Sequence, residues 1–189
     1  MLIHRTRLVL PLHLQMDKDR LCEAIVSMHR VQTYSHGNNF PLLGLPFASL
    51  CQSLYGAFLR ACQQNLGPFS ISPQSSDRCW AYVSNRQDYR RGIHHHLRTA
   101  TINGVYYLRV PSCSAQATHT GALCFYDEKG QRTLRLQPQE DDLLIFPSAL
   151  LHEPEPIESD HYRIAINMEV ICDHAVQWEP QTGQTRLTP

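Results

Sequence analysis

"DDLLIFPSALLHEPEPIESDHYRIAINMEV", residues 141–170, is the stretch on which the fold turns. Two apolar runs, residues 143–146 and 162–168, flank a turn that is rich in Pro and Glu and carries His152. Successive side chains of a strand point to opposite faces. In the second run this puts Arg163, Ala165 and Asn167 on one face and Tyr162, Ile164, Ile166 and Met168 on the other. The apolar face suits a covering layer of helices, so the Arg163 face is expected to point into a β-core. A guanidinium there is expensive unless it meets an anion. Its flat fork matches a carboxylate held at two points. The pattern therefore predicts a small carboxylate-bearing molecule inside the core, close to His152. The competing explanation is an internal ion pair, with Glu169 as the example.

Working outward, "GIHHHLRTATINGVYYLRV" (residues 92–110) places three histidines before a second strand. Alternation puts Ile102, Gly104, Tyr106, Leu108 and Val110 on one side and Asn103, Val105, Tyr107 and Arg109 on the other. Tyr107 is a candidate second donor to the carboxylate, and equally a core aromatic with its hydroxyl satisfied. Taken alone, three adjacent histidines are more often a solvated loop. Joined to His152, an H-x-H pair can meet the distant imidazole at one mouth of a barrel. His94 and His96 then face that mouth and His95 turns away, since residues i and i+2 share a side.

The remaining chain supports a β-core covered by helices. Beyond Pro73, "CWAYVSN", "GALCFYD" and "RTLRLQP" join the runs above as short strands separated by Gly, Pro, Asp and Asn, which suggests a sandwich or barrel. Before it, residues 8–14 read as a strand. Asp17 reads as the N-cap of a helix running to about Arg30, with Leu21, Ala24, Ile25 and Met28 on one face. Residues 31–46 read as a loop. From Phe47, apolar residues at i, i+3, i+4 spacing mark the clearest helix, stopped by Gly67-Pro68. We expect one domain over 1–189, mainly β: residues 1–72 form a strand and covering helices, and residues 73–175 the β-core.

Lys+Arg and Asp+Glu are both 17, giving zero net charge with His neutral. That argues against a nucleic-acid binder or an anionic-membrane binder. No apolar run approaches the roughly 20 residues of a membrane span. The seven cysteines include no C-x-x-C pair, which argues against zinc-ribbon and redox motifs and fits a reducing cytoplasm. His119 and His161 have loop-like settings. His4, His13, His29, His36 and His174 default to surface or edge positions, and Asp141-Asp142 to a turn before a strand.

"WAYV", "HHH", "NGVYYL", "GALCFYD", "LLIFPSALLH" and "YRIAIN" stand in this order over roughly residues 47–170. In order and spacing they resemble the iron(II)- and 2-oxoglutarate-dependent dioxygenases, most nearly the small oxygenases with an H-x-H layout and more distantly the prolyl hydroxylases. The resemblance implies that the β-core is a double-stranded β-helix, a jelly roll, and that the protein is an oxygenase that uses Fe(II) and 2-oxoglutarate to oxidise a small molecule or peptide side chain. By position it makes His94 and His152 metal ligands and Arg163 the anchor of the cosubstrate's far carboxylate. Tyr107 would bond the same carboxylate, and Asn103, on the same strand face, joins them as a cosubstrate candidate. Where the family carries Asp or Glu as its second ligand, this chain has His96. The ligand set is then all-His, or the register shifts by one and His95 takes part. Two other classes stay open: a three-His cupin-type dioxygenase that uses no 2-oxo acid, and a non-catalytic jelly roll with zinc or no metal.

Overall fold

Alternation of apolar and polar residues over residues 78–170 builds two facing antiparallel sheets, and the helical segments before them cover one outer face. The structure, a computed structural model, describes residues 3–31, 39–42, 47–75, 78–89, 92–174, 176 and 178. In chain order the elements are β1 (His4–Arg7), α1 (Leu12–Met16), α2 (Lys18–Val31), β2 (Asn39–Pro41), α3 (Ala48–Leu66), β3 (Arg78–Ser84) and β4 (Ile102–Arg109). There follow β5 (Leu123–Tyr126), β6 (Arg132–Leu136), β7 (Asp142–Pro147), β8 (Leu151–Pro154) and β9 (Arg163–Val170). The larger sheet has the order β1-β7-β4-β9-β3-β2 and the smaller β6-β5-β8, with every pairing antiparallel. This is the expected jelly-roll core with flanking helices.

The larger sheet is buried on both faces, which is why β4 and β9 read as almost unbroken apolar runs. On its outer face Ile102, Tyr106, Leu143, Ile145, Ile164, Ile166 and Met168 pack against Leu21 and Ile25 of α2 and Leu50, Leu54 and Phe58 of α3. Gly104 lets α3 come close: a Cβ there would lie 2.6 Å from the Phe58 ring. On the inner face Val105, Tyr107, Leu144, Phe146 and Ala165 meet Leu123, Phe125 and Leu136 of the smaller sheet. The two inner faces interdigitate as in other sandwiches, and the polar residues of interest emerge between them. Strand β6 forms one edge of the smaller sheet, paired to β5. Its Arg132 and Arg135 both donate to the Glu155 carboxylate, at 3.2 and 2.9 Å.

Several expectations need correction. Residues 8–14 are not a strand: β1 lies earlier, and α1 begins after Pro11, whose fixed φ suits a helix start. Asp17 sits at the α1–α2 junction, where its carbonyl accepts from the Leu21 amide at 2.9 Å. The expected loop 31–46 contains β2, paired to β3; residues 32–38, with His36, and residues 43–46 lie outside the described residues. A register shift between Tyr107 and Arg109 breaks the alternation of β4. Arg109 therefore reaches Asp19 on the helical side, and Val110 packs inward. His4 is buried on edge strand β1 against Trp178, and the half-hidden His29 pairs with Asp88. All seven cysteines are free.

Candidate metal and cosubstrate site

The site lies at one mouth of the sandwich. Its floor is set by backbone pairing between segments far apart in sequence. His94 and His152 exchange N–H···O bonds of 3.0 and 2.9 Å, and the His96 amide donates to the Ser148 carbonyl at 2.8 Å. These bonds bring together His94, His96 and His152, whose ligand-type nitrogens all lie within 4.8 Å of one another. His152 is 4% exposed and rests edge-on against Phe146. His95 is exposed and stands outside the cluster, as alternation requires.

Each of the three rings is oriented the same way. His94 Nδ1 bonds the Gly92 carbonyl at 2.8 Å, and His152 Nδ1 bonds the Leu150 carbonyl at 2.8 Å. His96 Nδ1 bonds the Glu169 carboxylate at 2.6 Å. A carbonyl or carboxylate can only accept, so each Nδ1 carries a proton, and in the neutral ring Nε2 is the nitrogen left to coordinate a metal. Three neutral imidazoles converging in this way fit a divalent ion such as Fe, Zn, Cu or Ni.

Deeper between the sheets lies Arg163, 1% exposed. Its two terminal nitrogens donate to the Gly121 carbonyl and, at 3.1 Å, to Ser84 Oγ, and the guanidinium faces the Tyr82 ring at 5.5 Å. Its Nε is buried with no hydrogen-bond partner, and among the described residues no carboxylate reaches it. Glu169 lies near the far end of β9 with its own partners, so the internal ion pair weighed from the sequence does not form. Gly121 makes the cradle possible twice over. Its φ is +74°, and a Cβ there would come within 2.7 Å of the Arg163 guanidinium. The cleft over this cation is lined by residues that include Tyr82, Tyr107 and Asn167 and extends to His94 and His152. Burial pushes the Tyr107 phenol above its usual range, the Arg163 charge opposing it only in part. The phenol therefore stays protonated and keeps a hydrogen to donate. The Asn167 amide nitrogen adds a second buried donor without an acceptor.

Asn103 sits apart from this cleft lining. Its Oδ1 accepts from Ser148 Oγ at 3.2 Å, and its Nδ2 is buried without a partner at the His96 end. Tyr82, Ser84 and Thr99 were not anticipated as contributors. Tyr82 and Ser84 carried a usable signal: Trp80, Tyr82 and Ser84 alternate with the core residues Ala81 and Val83. Thr99 carried none.

A buried cation that meets no counter-ion among the described residues shares one cleft with a cluster of imidazoles. Residues 78–169 match the family model described as "Putative 2OG-Fe(II) oxygenase". The match takes in most of both sheets and the histidine cluster, so this core is similar to the 2OG-Fe(II) oxygenases in sequence as well as in fold. No curated protein matches the sequence. Among solved structures, the chain is similar to a prolyl hydroxylase from Trichoplax adhaerens in complex with a hypoxia inducible factor peptide. The TM-score is 0.62 at 16% identity, covering 89% of this chain and 83% of that one. A Pseudomonas putida prolyl-4-hydroxylase gives 0.62 at 16% identity, covering 89% and 91%. The alpha ketoglutarate dependent carbocyclase SnoK from nogalamycin biosynthesis gives 0.60 at 13%, covering 96% and 83%. At these identities the structural likeness speaks for the fold. Among the described residues no helix is long and apolar enough to cross a membrane.

Proposed function

We propose that this oxygenase holds Fe(II) through His94, His96 and His152 and binds 2-oxoglutarate with its far carboxylate on Arg163. The observation that carries this reading is Arg163 itself: a fully buried guanidinium whose Nε is unused and which meets no carboxylate among the described residues. Such a charge is costly in the core unless an anion joins it. Tyr107 would donate its phenol hydrogen to the same carboxylate. Asn103 keeps its proposed place toward the metal end of the cosubstrate, where its buried Nδ2 needs an acceptor. Val105, Leu123 and Ala165 give the cleft an apolar wall.

When bound, iron and 2-oxoglutarate supply the oxidation: one atom of O2 enters succinate as CO2 leaves, and the other enters a substrate C–H bond. The chain's contribution is ligand geometry, orientation and a dry pocket. The substrate class is a peptide side chain or a small molecule. The similar structures include a hydroxylase with a bound peptide and a carbocyclase, which supports either.

Anaerobic addition of Fe(II) and then 2-oxoglutarate tests the reading. A weak visible metal-to-ligand band should appear only after the second addition, with one equivalent of each. Iron uptake with no change on adding 2-oxoglutarate would remove the cosubstrate role of Arg163. No iron uptake would remove the metal site.

A further inference from the structure

In two of the three histidines Nδ1 is held by a backbone carbonyl, a neutral acceptor. In the third it is held by a carboxylate. His96 Nδ1 lies 2.6 Å from Glu169 Oε1, whose residue is 3% exposed. The same oxygen accepts from Thr99 Oγ1 at 3.0 Å, and the Thr99 amide in turn bonds the His96 carbonyl at 2.9 Å. The Trp80 ring lies over His96 with centroids 6.2 Å apart. Glu169 is thus a buried carboxylate held in place by two donors, one of them the ring whose neighbours suit it to coordinate metal.

We infer that Glu169 is the positioning residue that restores, one bond removed, the negative charge missing from an all-histidine ligand set. The inference rests on the metal-site reading above. A divalent ion with three neutral imidazoles carries a formal charge of +2. Replacing one imidazole by a carboxylate would make it +1, and a carboxylate hydrogen-bonded to a ligand imidazole reaches the same total. The bond does two further things. It fixes the His96 tautomer, so that Nε2 bears the lone pair, and it raises the basicity of the ring toward a metal. Because Glu169 pairs across the sheet with Asn103 of β4, it lies behind the histidine cluster, on the strand that also carries Arg163. One strand would then serve the metal at one end and the cosubstrate at the other.

The test is equilibrium titration of Fe(II) alone and Co(II) alone, anaerobically and without 2-oxoglutarate, in four proteins: the wild-type chain, Glu169→Gln, His96→Asp and the double variant. Glu169→Gln keeps the shape and removes the charge. It should weaken metal binding about 10- to 100-fold, the usual effect of losing such an outer partner, and shift the visible Co(II) bands, while the metal-free melting curve stays close to wild type. In His96→Asp the carboxylate enters the ligand set and Glu169 becomes a like-charged neighbour. There Glu169 no longer holds a ligand ring, so the same Glu169→Gln change should alter affinity far less. A merely structural Glu169 would change affinity by a similar factor in both backgrounds, and that result overturns the inference, as does unchanged affinity in Glu169→Gln. Should Glu169→Gln fail to fold, Thr99→Val loosens the carboxylate from the other side and should also weaken binding; unchanged affinity there counts against it equally. Wild-type protein that takes up no metal overturns the metal-site reading along with the inference. Wild-type uptake that His152→Ala abolishes and Glu169→Gln leaves intact overturns the inference alone.

Discussion

At the scale of single residues, the cation and the imidazoles make separable predictions. Arg163→Lys keeps a charge but loses the planar fork. Apparent 2-oxoglutarate affinity should fall by about 1.5–3 kcal/mol, the worth of a charged hydrogen bond, measured by titration of the anaerobic Fe(II) form. An unchanged titration would mean that the buried guanidinium serves packing only. Among the histidines, His152→Ala should abolish stoichiometric iron binding with the fold intact, while His95→Ala should retain it, because His95 is exposed and outside the cluster. Iron analysis after gel filtration reads both. Loss of iron in His95→Ala would shift the ligand register by one. Much of this site was legible in advance, because strand alternation alone placed Arg163, Tyr107 and Asn103 inward and separated His95 from its neighbours. Glu169 could not be assigned its role that way. Alternation put it on the inner face, but its partner His96 lies 73 positions earlier, and only the β4–β9 pairing brings them together.

At the scale of elements, the close approach of α3 to β4 is the most sensitive contact. Gly104 faces Phe58, which is completely buried. Gly104→Ala should cost about 1–3 kcal/mol through overpacking, seen as a lower urea midpoint with no loss of metal affinity, since the histidines sit on the other side of the sheet. An unchanged midpoint would mean that the helix can slide away at little cost. The elements legible from sequence were those with long, regular patterns: α2, α3 and the apolar strands. Strand β8, Leu151–Pro154, was not, because "LHEP" is short, polar and ends in proline; it forms by pairing to β5, with His152 opposite Phe125. β1 was missed for a related reason. "HRTR" looks like a surface segment until β7 offers it an edge, where Arg5 meets Asp142 at 2.6 Å.

At the scale of the whole molecule, the proposed metal and cosubstrate would join residues from β3, β4, β8 and β9 and from the loop after β3, so their binding should stabilise the fold as a unit. Fe(II) with 2-oxoglutarate at about 100 times its Kd should add about 2.7 kcal/mol. For a chain of this size that is a rise in thermal midpoint of about 5–11 °C, read anaerobically by calorimetry. Iron and 2-oxoglutarate that leave the midpoint of the wild-type chain unmoved would argue against a joint site. The smaller sheet carries a different consequence, unrelated to catalysis. Its outer strand β6 ends the hydrogen-bonded ladder, and a strand that ends a ladder offers its unpaired backbone to any extended chain that drifts near. Arg132 and Arg135, tethered by Glu155, stand along that border as fixed charges. A second strand arriving there would have to desolvate them, so at high concentration this border should resist pairing with another copy of the chain, by means set far in sequence from the histidines.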